Sequence, residues 1–184
     1  ASEGELLTMN HGVVANAEVE VADELMLNKP ILWVNNLGER FMNESLLKDT
    51  VEFSSAVMAQ NGYAYTIVDQ ATVDRWCDQT QENTGTWIHY WDQNGILDAD
   101  GNRTIYHAPV DKDTFLADFD ILTEANEGIV ANSVAEIAEF IGCDEATIQN
   151  TIDKYNGYVE SGSDEEFFKD SEDLVYSVEE GPYY

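Results

Sequence analysis

Residues 31–34 (ILWV) are apolar at four successive positions and then give way to the polar turn NNLG, in which Gly38 can take a positive φ. ERFM follows as a second short strand, so this segment predicts a hairpin. Asp49 with Glu52 three positions on reads as a helix start, the apolar residues Val51, Phe53, Ala56, Val57 and Ala59 follow, and Asn61-Gly62 ends the helix. YAYTIVD at 63–69 alternates like a half-buried strand, and residues 70–77 predict another short helix. WDQNGILDADGNRTIYH carries two turn signals, Asn94-Gly95 and Asp100-Gly101, between apolar runs, which reads as a β excursion. Further on, Ser133 and Glu136 form a capping box for VAEIAEF, which ends at Gly142. Ile148, Ile152 and Tyr155 then stripe a helix ending at Asn156-Gly157, and the acidic stretch 158–173 reads as a solvated loop. The pattern is α+β, a hairpin plus a small sheet with segregated helices, with no internal repeat and no linker that divides the chain.

Length and composition narrow this to one domain. A chain of 184 residues holds one sizeable core, and nine Tyr, seven Phe and four Trp mark a chain that folds. Eight basic residues against 37 acidic ones give a formal charge of -29, which excludes nucleic-acid binding, since phosphate backbones are held by clustered Lys and Arg. An anionic small molecule would need a locally positive pocket made from those few cations or supplied by a partner. A salt-adapted or acid-rich proteome accounts for the surface charge itself. No stretch approaches the length of a membrane span, and no signal peptide is read at the start.

Several chemistries are unsupported. No two glycines stand at i and i+2, so the chain has no dinucleotide-binding GxGxxG. DADGN at 98–102 has the look of a calcium loop, but its glycine falls at the fourth position and no Glu stands at the twelfth, so a hairpin turn is expected and no metal. His11, His89 and His107 share no metal-ligand spacing, and no serine sits in GxSxG. Cys77 and Cys143, far apart and outside any CxxC, read as two buried free thiols.

Five landmarks in order carry a resemblance: WVNNLGERFMNE with Lys48 four positions beyond Glu44; MAQNGYAYTIVDQATVDRW; SVAEIAEFIGCDEATIQNTIDKYNGY; the loop GSDEEF; and GPYY. Together they resemble the flavoprotein family of fumarate reductases and succinate dehydrogenases, especially the soluble flavocytochrome c type, over nearly the whole chain. The resemblance implies that residues 1–184 are a single capping, substrate-side domain excised from a larger protein whose Rossmann-type halves lie outside this chain. FAD would be bound mainly by that missing domain, and the fragment alone would fold, be colourless and lack reductase activity. The implied partners are the FAD-binding domain of the same parent, a small unsaturated carboxylic acid and an electron-donor cytochrome or flavin domain. A cytoplasmic, membrane-associated or exported bacterial parent are all compatible with it.

The implied site residues are few. Lys48 stands where such reductases place an arginine that protonates the alkene while reduced flavin delivers hydride. Lysine keeps the charge but loses the planar fork of donors, and a solvated lysine before a helix is the alternative. Counting back from Val34-Asn35 without a gap, His11 falls at a substrate-binding histidine and Glu24 at a proton-relay glutamate. The neighbouring family threonine and arginine are Asp23 and Leu27 here, and GELLTM can also be read as the family's glycine-rich entry, which moves His11 out of register. Arg40 and Glu44 are expected to brace the hairpin at the cap edge, with Asn43 and Glu44 reaching the cofactor side. The expected activity is reduction of an activated alkene, fumarate-like first; the rival readings are a non-enzymatic acidic binding or scaffold module and a cation-binding protein.

Overall fold

The computed structural model describes residues 29–61, 64–77, 96–97, 103–104 and 112–184; of Lys48, Thr50 and the residues at 96–97 and 103–104 it describes the backbone alone. Within these residues the fold is α+β. Strand β1 (Leu32–Val34) pairs antiparallel with β2 (Tyr65–Ile67), with Leu32 opposite Ile67 and Val34 opposite Tyr65. A second antiparallel pair joins β3 (Ile96–Leu97) to β4 (Arg103–Thr104). Five helices accompany them: α1 (Thr50–Ala59), α2 (Gln70–Cys77), α3 (Lys112–Glu124), α4 (Val134–Ile141) and α5 (Glu145–Ser161).

The unbroken apolar run of β1 follows from burial on both of its faces, as expected when helices cover a sheet from two sides. Ile31 and Trp33 join a core made with Phe53 of α1, Val73 and Trp76 of α2, and Phe115, Phe119 and Leu122 of α3. Leu32 and Val34 join a second core with Ile137, Ala138 and Ile141 of α4 and Ile148, Ile152 and Tyr155 of α5. The last two residues are divided in the same way, Tyr184 belonging to the first core and Tyr183 to the second. Their backbone holds them there: Tyr184 exchanges hydrogen bonds with Val68 at 2.9 and 3.1 Å, and Tyr183 with Ala131 at 2.7 and 2.9 Å.

The cap signals act as read. Asp49 accepts from the backbone N–H of Val51 and Glu52, and Ser133 from that of Glu136 at 3.3 Å. The return arm of the capping box lands one residue early, with Glu136 accepting from the N–H of Asn132 at 2.6 Å. Gly142 closes α4 at φ +81°. The position of Gly38, at φ +79°, favours glycine on two counts, its left-handed backbone and the crowding a Cβ would meet 3.0 Å from Cys143 Sγ and 3.1 Å from Ile148 Cβ. Its carbonyl also accepts the Thr151 hydroxyl at 2.7 Å, which seats the turn against α5.

Four expectations are corrected. ERFM is no strand: the Asn35 side-chain oxygen accepts from the N–H of Leu37 and Glu39 and closes the turn itself, and β1 pairs with β2. The last helix does not stop at Asn156-Gly157 but runs to Ser161, with Gly162 at φ +66° as its cap. The stretch 158–173 is no solvated loop, because Asp164, Lys169 and Asp173 within it are buried. Cys77 and Cys143 are thiols outside any disulfide, as expected, but half-buried where burial was expected. The helix α3 went unread in the sequence. Asn94-Gly95, Asp100-Gly101, His89 and His107 lie outside the described residues.

Candidate functional site

Segments far apart in sequence converge on Arg40, which follows the turn of Gly38. Its Nε and Nη2 donate to the two carboxylate oxygens of Glu44 at 2.9 and 2.8 Å, and Nη1 and Nη2 donate to Asp164 at 3.2 and 2.8 Å. The planar guanidinium thus takes two carboxylates edge-on, a geometry that lysine lacks. Aromatic rings of Tyr155, Tyr158 and Phe167 lie 5.2, 5.7 and 5.0 Å from its Cζ. Beside it, the Lys169 ammonium lies 3.3 Å from Glu44 and donates to the Tyr155 hydroxyl at 2.8 Å and the Pro30 carbonyl at 2.6 Å.

These four charged side chains are almost wholly withdrawn from water. Two buried cations meet two buried carboxylates, and the partly exposed Glu166 lies 3.9 Å from Arg40 Nη1, so the cluster has no positive charge to spare and offers no attraction to an outside anion. Burial by itself favours neutral Arg40, but the hydrogen bonds and charges of Glu44 and Asp164 outweigh it and hold the guanidinium above its ordinary value. Burial likewise pushes Asp164 up, yet Arg40 and the N–H groups of Glu166 and Phe167 bring it down to about 2. Lys169 is lowered, chiefly by burial, with Glu44 opposing. The Tyr155 hydroxyl is raised well above its usual value by burial and then by the charge of Glu44.

The cluster grips a short 3-10 turn, Glu44–Lys48. Asn43 caps it, its side-chain oxygen accepting from the Ser45 N–H at 2.8 Å while its Nδ2 donates to the Phe168 carbonyl at 3.3 Å. The Ser45 hydroxyl donates to the buried Asp173. Phe168 is 77% exposed and sits at φ +58°, a conformation costly to a bulky side chain.

Of the residues expected from sequence, Asn43, Glu44 and the backbone of Lys48 fall on this one turn. His11 and Glu24 lie outside the described residues. Arg40 and Glu44 do pair, but they bind the turn to a loop more than a hundred residues away and do not pair across a hairpin. Asp164, Lys169 and Tyr155 were missed; the available signal was a lone lysine in a strongly acidic stretch, within the loop of the GSDEEF landmark. Asp170, Glu172 and Asp173 also bring carboxylate oxygens within 4.8 Å of one another. Two of them are exposed on a very acidic surface and Asp173 takes the Ser45 hydroxyl, so the group carries no metal assignment.

No protein-family model matches the chain. It is 28% identical over 162 residues to vinyl phenol reductase of Lactiplantibacillus plantarum, an alignment that takes in 85% of this chain and 28% of that protein. It is 29% identical over 155 residues to NADH:acrylate oxidoreductase of Vibrio harveyi, covering 83% of this chain and 11% of that protein. The chain therefore spans about a quarter and a tenth of the lengths of these relatives, both named for oxidoreductase activities. Among solved structures it is similar to 3-ketosteroid-delta4-(5alpha)-dehydrogenase from Rhodococcus jostii RHA1, at 19% identity and a TM-score of 0.47, over 87% of this chain and 24% of that one.

Proposed function

We propose that this chain is the substrate-side capping domain of a flavin-dependent reductase that saturates an activated alkene. The observation that carries this reading is the match, over 85% and 83% of the chain, to two relatives of different size named for reducing vinyl phenol and for an acrylate oxidoreductase. A segment common to two such proteins is a shared working part of both.

FAD is held mainly by parts of the protein outside this chain, since no pair of glycines here can form the dinucleotide-binding turn. When bound, the flavin supplies the hydride. Lys48 then gives a proton to the neighbouring carbon, Glu24 resupplies it, and His11 holds a substrate carboxylate. A lysine acts as such an acid when partial burial lowers its pKa from roughly 10.4. The substrate is a small unsaturated carboxylic acid, fumarate-like first, with acrylate-type acids beside it; a vinyl phenol, which has no carboxylate, is the alternative class and would leave His11 without that role. The Arg40 cluster cannot attract that anion, being self-neutralised, so Lys48 and His11 carry the task. Asn43 acts at the cap edge, whereas Glu44, expected beside it, is buried against Arg40 and Lys169 and holds the turn from within. The electron donor is a cytochrome or flavin domain.

The test is anaerobic oxidation of a reduced viologen by the natural full-length protein across a panel of unsaturated acids and vinyl phenols, with Lys48→Ala beside wild type. Turnover of one class, lost with Lys48, is expected. A full-length protein that binds no flavin and turns over nothing returns the chain to the acidic binding-module reading.

A further inference from the structure

Three consecutive residues at the start of the 3-10 turn are each gripped by a different residue of the loop at 164–173. Asn43 donates to the carbonyl of Phe168, Glu44 receives the ammonium of Lys169, and Ser45 donates to Asp173. Asp164, at the head of the loop, holds Arg40 on the other side. A 3-10 turn has poorer hydrogen-bond geometry than an α-helix and does not hold its own frame well. Here it has the Leu46 N–H on the Asn43 carbonyl at 3.0 Å and the Asp49 N–H on the Leu46 carbonyl at 2.8 Å. The loop also keeps Phe168 in a left-handed conformation while sending Lys169 inward, and such strain persists where the surroundings over-determine it.

We propose that the loop at 164–173 is the positioning element of the reductase site, fixing through Asn43, Glu44 and Ser45 the turn that ends at Lys48. This rests on the reading of the chain as a reductase cap with Lys48 as its proton donor. The residues of the loop are positioning residues, since they act through the turn. Loosening the grips should lower the rate of the chemical step and leave substrate binding nearly as it was, because a misplaced proton donor is felt in the transition state.

The test uses the natural full-length protein with the half-buried grips, which can be opened without removing a buried charge. Asn43→Asp keeps an oxygen to accept the Ser45 N–H but loses the donor to Phe168; Ser45→Ala loses the donor to Asp173. Both variants should speed hydrogen exchange in the peptide covering 43–49 by about tenfold, as local opening does. Both should lower kcat by roughly 3–10-fold with KM within about twofold, Ser45→Thr should restore it, and neither should add to the loss in a Lys48→Ala background. Unchanged exchange, or a kcat loss that adds in full to that of Lys48→Ala, overturns the positioning role even if the wild type is an active reductase. A wild type that reduces no panel member overturns the reductase reading and this proposal with it, and the two failures are thereby told apart.

Discussion

At the residue scale the molecule turns on Arg40. Removing one partner of a buried ion pair leaves an uncompensated charge, so Arg40→Ala should cost about 3–5 kcal/mol of folding stability in urea melts. Arg40→Lys should lose much of the same amount, because an ammonium cannot meet Glu44 and Asp164 edge-on together. Acid tests the same group. A carboxyl near 3.9 when unfolded and about 2 when folded contributes stability that is fully present above about pH 4 and lost as pH falls toward 2. Asp164→Asn should therefore be less stable at neutral pH and flatter than wild type between about pH 4 and 2; parallel curves would contradict the assignment. Phe168 gives a test of opposite sign. Left-handed backbone costs a non-glycine residue roughly 1–2 kcal/mol, which offsets the greater chain entropy that glycine must lose. Phe168→Gly should then melt no lower than wild type, whereas a clear drop would show that the exposed ring packs on something.

At the element scale the decisive contact is the turn of Gly38 against the start of α5. Gly38→Ala must displace Cys143 or Ile148 and hold alanine at φ +79°, so a loss of at least about 1–2 kcal/mol is expected, measured by thermal melting. Elements with local signals were legible in the sequence: Asp49 and Ser133 announce α1 and α4 because a cap is written within four residues. The false second strand at ERFM shows the limit of such reading. Period and propensity allow it, but Asn35 closes the turn with its own side chain and Arg40 is drawn inward by a carboxylate 124 positions away. The acidic stretch misled for the same reason. Asp164 and Lys169 look solvated until Arg40, Glu44 and Tyr155 are placed around them, and no local pattern records that tertiary pairing. Of the candidate site, Asn43, Glu44 and Lys48 were singled out through a resemblance to a known family, but neither the 3-10 turn that carries them nor the loop that grips it was read.

At the scale of the whole molecule, a formal charge of -29 repels itself, while the buried cluster is shielded from salt. Raising sodium chloride toward 1 M, where the screening length falls to about 3 Å, should raise the melting temperature, and an unchanged or lower value would contradict self-repulsion as the controlling term. No helix among the described residues is long and apolar enough to cross a membrane. Two cores on either face of β1, tied together by Tyr183 and Tyr184, make a stable body on which one short turn can be held in place. The cap proposed for this chain would need such a body, to carry a reacting group to a cofactor and exclude water without deforming.

The most direct measurement is anaerobic viologen oxidation by the natural full-length protein, purified with its flavin spectrum recorded, against fumarate, acrylates and vinyl phenols, for wild type and Lys48→Ala. A bound flavin and turnover of one class of activated alkene, falling by about a hundredfold or more without Lys48, is the predicted result for loss of a general acid. A protein without flavin that leaves every alkene unreduced would contradict the account.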